Sequence, residues 1–203
     1  SVISGLERLT SGTVEVDGAA VCGPSDKIGL MPQRDQLFPW RTIRDNVTLG
    51  LSVLGKRTPE NLAYADTLLR RYGLWDFARK RPAQLSGGMR QRCALIRTMA
   101  TKPKILLLDE PFSALDFQTR LSVSSDISRI IRREGKTALL VTHDISEAIS
   151  LSDRIFVLSA RPAVVKNVHD LAKLRGLSPL ERRDTEAFHT YFQAIWKELD
   201  HHE

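Results

Sequence analysis

Two carboxylates stand together at the end of the most apolar segment of the sequence. Residues 105–109 read ILLLD, and Glu110 and Pro111 follow directly. A continuous apolar run of this length is typical of a parallel strand that is covered on both faces, and open α/β sheets bind ligands at the carboxyl ends of their strands. Asp109 could therefore bind Mg²⁺, directly or through water, while Glu110 orients or deprotonates an attacking water.

A second group of candidate functional residues lies in residues 85–92, which read LSGGMRQR. Ser86 is a favourable N-cap residue, and Gly87 and Gly88 leave backbone N–H groups accessible at the start of a helix. Such a helix end also carries partial positive charge, so the segment could bind an anion. The alternative interpretation is a simple serine-capped helix with a flexible lead-in.

Hydrophobic periodicity predicts the elements that would position these residues. The predicted strands cover residues 13–16, 27–31, 104–109, 137–142 and 154–159, with those at 104–109 and 137–142 buried. The predicted helices cover residues 62–72, 86–100, 117–134, 145–150 and 179–202. Because strands alternate with helices, an α/β fold with a parallel sheet is expected.

Residues 42–97 show a helical pattern throughout, which interrupts the alternation of strands and helices. They are therefore expected to form an inserted α-helical subdomain. The α/β core would then comprise residues 1–41 and 98–170, and residues 171–203 would form a C-terminal helical tail. The apolar stripe of that tail predicts packing on its own domain, with binding to a partner as the alternative.

Five motifs, taken in order, resemble those of ABC transporter ATP-binding subunits. Residues 85–92 resemble the signature motif, residues 105–111 the Walker B strand with its following glutamate, and residues 113–116 (SALD) the D-loop. Gln33, in MPQR, lies where the family has its Q-loop, and His143, in VTHDISEA, lies where it has its switch histidine. The resemblance implies an ABC-type nucleotide-binding domain of the P-loop NTPase class, which hydrolyses ATP with Mg²⁺.

The resemblance also implies roles for individual residues. Two subunits, expected to be identical, would face each other head to tail with each ATP held between them. The implied catalytic residues are Glu110, His143 and Gln33; the implied metal ligands are Asp109 and Gln33; the implied nucleotide-binding and interface residues are Ser86, Gly87, Gly88, Gln91 and Asp116.

The phosphate-binding loop of the family, GxxxxGK[ST], has no convincing counterpart in the chain. Residues 50–57 read GLSVLGKR, but Arg57 stands where a magnesium-binding Ser or Thr is needed, no strand precedes the segment, and Pro59 follows. Residues 2–12 resemble the end of the helix that follows the loop. The chain is therefore expected to be a fragment that does not bind ATP tightly by itself. A degenerate, non-catalytic subunit that acts as a binding or structural partner is the alternative.

Residues 37–40 (LFPW), which follow the Q-loop, are expected to expose Phe38 and Trp40 for docking on integral-membrane permease subunits. The alternative is that both rings are buried. Together with residues 158–162 and 192–199, this segment most resembles importers of the nitrate, sulfonate and taurine type. In such systems an extracytoplasmic solute-binding protein, which contacts this subunit only indirectly, helps to choose the substrate.

Composition and chain features argue against several other classes of protein. The 203 residues carry a net charge of +6, no apolar run approaches the roughly 20 residues of a membrane span, and the two cysteines lack metal-ligand spacing. No aromatic residues are interleaved with the basic groups, so nucleic-acid binding is not expected. The absence of a coiled-coil insertion and of a second cassette argues against the DNA-repair and translation classes of ABC proteins. A peripheral location on the cytoplasmic face of the plasma (inner) membrane is expected.

Overall fold

The computed structural model describes residues 1–200, and within that range the chain forms seven strands and seven α-helices. The strands are β1 (Glu15–Val16), β2 (Ala19–Ala20), β3 (Ile28–Met31), β4 (Ile105–Asp109), β5 (Thr137–Val141), β6 (Arg154–Leu158) and β7 (Val165–Asp170). The helices are α1 (Ile43–Val53), α2 (Pro59–Arg71), α3 (Gly87–Ala100), α4 (Phe117–Arg133), α5 (Ile145–Leu151), α6 (Pro179–Arg183) and α7 (Glu186–Asp200).

Strands β3, β4 and β5 form a parallel sheet in that order, and the candidate residues follow the carboxyl ends of these strands. In its register Met31 lies opposite Leu108, and Asp109 lies opposite Val141. All three strands therefore end at the same level, and the segments that carry Gln33, Glu110 and His143 leave the sheet side by side. The predicted α/β fold is confirmed.

Helices α1, α2 and α3 lie between β3 and β4 in the chain. Each begins at a hydroxyl residue, Thr42, Thr58 or Ser86, whose side chain accepts a hydrogen bond from the backbone N–H three positions later. Their apolar faces share one buried cluster with β4 and α4, in which Ile43, Leu68 and further residues are fully buried. The helical insert and the sheet are thus held by a common core.

A second, smaller buried cluster joins α5, β6 and α7. Its buried members include Ile149, Val157, Phe188 and Ile195. The guanidinium of Arg182 is also fully buried on this side, where it donates a hydrogen bond to the carbonyl oxygen of Ile149 at 3.1 Å.

The prediction that residues 137–142 form a buried strand was wrong. The strand is present as β5, but most of its residues are exposed, with Val141 at 54% and Leu139 at 38% of their full accessibility. Edge position alone does not explain this exposure, because β3 lies at the other edge of the sheet and is largely buried; the difference lies in what packs on the faces of β5, where Leu140 contacts the larger cluster. An apolar run predicts a strand, but the run is the same whether neighbouring elements cover the strand or not.

Two further predictions need correction. The strand at residues 154–159 does not join the parallel sheet but pairs antiparallel with β7, which the sequence analysis did not predict. The predicted tail helix is interrupted, because α6 ends at Arg183 and α7 starts at Glu186. The hydroxyl oxygen of Thr185, between the two helices, accepts from the N–H of Phe188 at 3.1 Å. The end of the predicted helix, residues 201–202, lies outside the described residues.

The segment that superficially resembles a phosphate loop has a different structure. Gly50 lies within α1, and Pro59 occupies the first turn of α2 behind its cap Thr58. Neither the strand nor the anion-binding turn of a phosphate loop is formed there. Across residues 1–200, none of the helices has both the length and the apolar character that crossing a bilayer requires.

Candidate functional site

Glu110, which follows β4, connects the residues that follow the other two strands of the sheet. Its carboxylate accepts a hydrogen bond from Gln33 Nε2 at 2.9 Å through Oε2, and it contacts His143 Nδ1 at 3.0 Å through Oε1. The three candidate catalytic residues, which are far apart in sequence, are thus assembled into one hydrogen-bonded group around a single carboxylate.

The backbone at Glu110 turns sharply after the strand. Its φ is +42°, in the left-handed region that residues other than glycine seldom adopt, and its N–H donates to the carbonyl oxygen of Val141 at 2.8 Å. The hydroxyl of Ser113 closes the turn by donating to the carbonyl oxygen of Glu110 at 3.0 Å. This geometry fixes the direction in which the carboxylate points. Such strain is concentrated at functional sites.

His143 is electrostatically coupled to Glu110. The hydrogen bond to Glu110 raises the pKa of the imidazole above its ordinary value, and the carboxylates of Asp144 and Glu147 add to the effect. The ring itself is largely exposed. The contact with Glu110 therefore stabilises the imidazolium form of a histidine that remains accessible to a ligand.

The predicted anion-binding segment starts α3. Ser86 is exposed, and its hydroxyl oxygen accepts from the N–H of Met89 at 3.3 Å. A side chain at Gly87 would press against Leu115, and a Cβ at Gly88 would lie 2.6 Å from a methyl group of Val123 on α4. Gly88 is therefore required for the close approach of α3 to α4, which is a structural reason for one of the two glycines.

Asp116 caps the N-terminus of α4 by accepting from the N–H of Thr119 at 3.0 Å. The hydrogen bonds from Thr119 lower the pKa of the Asp116 carboxyl. Within residues 1–200, no hydrogen bond connects Asp116 or Ser86 with the group around Glu110. The structure therefore separates the candidate residues of this chain into a strand-end group and a helix-end group.

Two arginines that the sequence analysis did not single out tie α3 to the segment after Gln33. Arg97 donates to the carbonyl oxygens of Gln36 at 2.7 Å and of Asp35 at 2.8 Å, and Arg90 pairs with the Asp35 carboxylate at 3.0 Å. Arg90 and Arg97 are two helical turns apart and so lie on one face. That spacing, on a helix next to a candidate site, was the available signal.

Other functional residues were missed on the histidine side. Glu147 is buried and accepts from the Thr142 hydroxyl at 2.7 Å, and burial raises the pKa of its carboxyl. Arg120 reaches Asp144 from α4 at 3.2 Å.

Gln91, on α3, is 3% exposed, and its Oε1 has no hydrogen-bond partner within residues 1–200. The side chain of Gln91 is therefore buried rather than presented to a ligand.

The donor set suits a magnesium ion that is shared with a phosphate ligand. Within residues 1–200, no three His, Cys, Asp or Glu residues are grouped as a metal-binding cluster. Mg²⁺ commonly takes only one or two protein oxygens and completes its shell with water and phosphate oxygens. The exposed Asp109 carboxylate at the end of β4 and the nearby Gln33 amide fit that requirement.

Comparison with known proteins identifies the class to which this fold and site belong. A family model described as ABC transporter matches residues 1–113. The chain also resembles a solved dimeric structure of the ATP-binding cassette MJ0796 in a post-hydrolysis state bound to ADP and Pi, with a TM-score of 0.66, 31% identity, and coverage of 84% of this chain and 78% of that one. The chain belongs to the ABC transporter family as its ATP-binding component, a class of ATPases coupled to transport.

Individual relatives extend the comparison over nearly the whole chain. An uncharacterized ABC transporter ATP-binding protein, YtlC, of Bacillus subtilis is 47% identical over 98% of this chain and 77% of its own length. The nitrate import ATP-binding protein NrtD of a Synechocystis species is 43% identical over 81% of this chain and 62% of its own length. An aliphatic sulfonates import ATP-binding protein, SsuB 2, of Burkholderia cenocepacia is 39% identical over 90% of this chain and 65% of its own length.

Proposed function

We propose that, in the full-length protein, this chain supplies the catalytic carboxylate and the two residues that position it for ATP hydrolysis. The observation that carries the proposal is the hydrogen-bonded group of Glu110, Gln33 and His143 at the carboxyl ends of parallel strands. Glu110 accepts the proton of the attacking water. His143 donates a hydrogen bond to the terminal phosphate, and Gln33 orients the water.

Asp109 and Gln33 are the proposed magnesium ligands. The bound ion would neutralise negative charge on the phosphates of the nucleotide. Glu110 is proposed for proton transfer and not for metal binding: Gln33 donates to one of its oxygens and His143 contacts the other, and a second lone pair on each oxygen is left to accept a proton.

Ser86, Gly87 and Gly88 are proposed to bind the terminal phosphate held by a second, identical subunit. Support comes from the accessible helix start at Ser86, from its separation from Glu110 in this chain, and from the dimeric state of the MJ0796 structure. Asp116 is proposed to order the subunit interface by fixing the start of α4. We leave the enclosed Gln91 out of the nucleotide-binding set.

Replacement of Glu110 by Gln tests the catalytic role. In the full-length protein, Glu110→Gln should lower ATP turnover by roughly a thousandfold or more while nucleotide affinity stays within about twofold, because the amide keeps the shape but cannot accept the proton. Turnover by phosphate release and affinity by calorimetry provide the two measurements. Glu181→Gln, at the start of α6, is the matched control.

Near-normal turnover in Glu110→Gln would remove Glu110 from the role of base. A full-length protein that binds neither ATP nor ADP would instead support the non-catalytic alternative, in which the chain acts as a structural partner.

We propose that residues 37–40 dock on the membrane permease. Leu37 is buried and anchors the segment, whereas Trp40 is 67% and Phe38 36% exposed, with the two rings 5.2 Å apart. The buried Asn46 fixes this presentation, because its side chain accepts from the N–H of Phe38 at 2.7 Å and donates to the carbonyl oxygen at 3.1 Å. A rigid, exposed aromatic pair is typical of a partner-binding surface.

Trp40→Ala should weaken binding of the permease by at least tenfold and reduce transport, while ATP turnover of the isolated full-length subunit stays unchanged. Co-purification and uptake assays measure the two effects. Trp75→Ala is the control, since Trp75 is also partly exposed but is covered by the guanidinium of Arg70, 3.8 Å from its ring centre. Unaltered permease binding in Trp40→Ala would refute this docking surface.

We propose that the transported solute is a small anion of the nitrate or sulfonate type, because the similar proteins NrtD and SsuB 2 serve nitrate and aliphatic sulfonate import. The choice between such solutes would rest with the permease and an extracytoplasmic binding protein. Uptake assays with the reconstituted system, using nitrate and an alkanesulfonate as competitors, test this assignment.

A further inference from the structure

The loop at residues 113–116 and the histidine segment are joined by one side chain from α4. Arg120 donates through one terminal nitrogen to Oδ2 of Asp144 at 3.2 Å and through the other to the carbonyl oxygen of Leu115 at 3.2 Å. Asp144 directly follows His143, and Leu115 directly precedes Asp116. A planar guanidinium that binds two acceptors has little freedom to move relative to either.

The histidine end of this connection is rigid. Asp144 caps α5 by accepting from the N–H of Glu147 at 3.0 Å, and its own N–H donates to the Thr142 hydroxyl at 3.0 Å. That hydroxyl in turn donates to the buried Glu147 carboxylate at 2.7 Å. Both chain neighbours of His143 are therefore held in place, so a pull on Asp144 is transmitted to the imidazole.

The loop end of the connection reaches the signature segment. Leu115 is nearly buried, and its Cδ2 lies 3.2 Å from the position that a Cβ on Gly87 would occupy. A cavity of about 60 Å³ lies between Ser113, Arg120 and His143. It is far smaller than the several hundred Å³ of an ordinary ligand pocket, so there is no room for a ligand of that size between Arg120 and the two segments that it connects.

We propose that Arg120 is a positioning residue that makes the loop at residues 113–116 and His143 move as one unit. Displacement of Leu115, at the end of the loop away from the contact between Ser113 and Glu110, for example by a partner at the start of α3, would then shift His143 relative to Glu110. The mechanical connection does not depend on catalysis. Its effect on turnover rests on the proposed ATPase function.

Hydrogen exchange on the 203-residue chain tests the connection directly. Arg120→Met should speed amide exchange roughly tenfold in both residues 112–117 and residues 141–146, because each segment loses a charge-assisted hydrogen bond. Arg120→Lys, which can reach only one acceptor at a time, should restore one of the two segments. Arg129→Met on the same helix should change neither, because the Arg129 guanidinium is exposed and, among residues 1–200, pairs only with Asp126.

Asp144→Asn provides a second test that keeps α5 capped. The amide oxygen can still accept from the N–H of Glu147, but the charged acceptor of Arg120 is lost. Exchange should therefore rise in residues 112–117, on the far side of Arg120. Unchanged exchange in that loop would overturn the proposal, even if Arg120→Met proved too unstable to study.

In the full-length protein, Arg120→Met should lower kcat for ATP at least tenfold with KM within about twofold, and Arg120→Lys should restore part of kcat. If the Arg120 variants change exchange in both segments but the unmodified full-length protein does not hydrolyse ATP, the ATPase proposal is contradicted and the connection through Arg120 stands. If the two segments exchange independently in a protein that hydrolyses ATP, the connection is contradicted and the ATPase proposal stands.

Discussion

At the scale of single residues, the site depends on an unusual backbone conformation. Glu110 follows a regular strand, yet its φ of +42° turns the chain within one residue. Sequence reasoning selected Glu110 because it follows an apolar strand, and it selected Gln33 and His143 because their motifs resemble those of the family. It could not show that one carboxylate contacts both other residues, since that depends on the turn and on how the strands align.

Glu110→Gln should lower the pKa of His143 in the 203-residue chain towards its ordinary value of 6.5. The hydrogen bond to the carboxylate raises this pKa, and a neutral amide stabilises the imidazolium far less. NMR titration of the imidazole carbon signals measures the change. The same titration of the unmodified chain is the reference.

The sign of the accompanying pH effect follows from linkage. Because the pKa of His143 is raised in the folded state, the pair stabilises the fold below the pKa of the unfolded chain, and this stabilisation is lost as the pH rises through the raised value. Glu110→Gln should flatten that dependence. Identical His143 titration curves in the unmodified chain and in Glu110→Gln would show that Glu110 does not influence the protonation of His143.

At the scale of elements, the sequence predicted a helix correctly where residues at its two ends mark its start and its stop. Ser86 and Asp116 cap α3 and α4, and Gly73 and Gly135 follow α2 and α4 with positive φ. Strand burial and pairing depend on neighbours instead. The sequence therefore indicated β5 correctly as a strand and wrongly as a buried one.

Gly88→Ala should destabilise the chain by about 1–3 kcal/mol, because the new methyl group would lie 2.6 Å from Val123 and force α3 away from α4. Urea unfolding measures the free energy. Gly23→Ala is the control, as a Cβ there has open space and the backbone φ is not positive, so its effect should stay within about 0.5 kcal/mol. Equal stability of both variants would mean that the helices are not in tight contact.

At the scale of the whole molecule, two buried clusters divide the stabilising contacts. The larger contains the helical insert and the parallel strands, and the smaller contains α5, β6 and α7. Hydrophobic periodicity predicted helices α3 and α4 of the larger cluster and the apolar tail helix of the smaller one, but it identified only a minority of the buried residues. The burial of Arg182 was not predicted, because arginine rarely lies in a core unless it is paired.

Arg182→Met should cost about 3 kcal/mol, because the carbonyl oxygens of Ile149 and Ser152 lose a charged donor inside the smaller cluster. Arg175→Met is the matched control, since its pair with Asp170 is exposed on both sides and should contribute at most about 1 kcal/mol. Urea unfolding followed by tryptophan fluorescence compares the two. Similar losses would show that burial does not determine the contribution of these arginines.

The sequence distance between β3 and β4 has a consequence for the order of events during synthesis. Gln33 and Glu110 are 77 residues apart, so the ribosome makes the whole helical insert before the central strand. At roughly 5–20 residues per second, that delay is on the order of ten seconds. Until β4 emerges, Ile96 and Met99 of α3 lack part of the core that later buries them. The nascent chain therefore passes through a stage in which the apolar face of α3 lacks its partner strand, and a chaperone that binds exposed apolar segments would act at that stage.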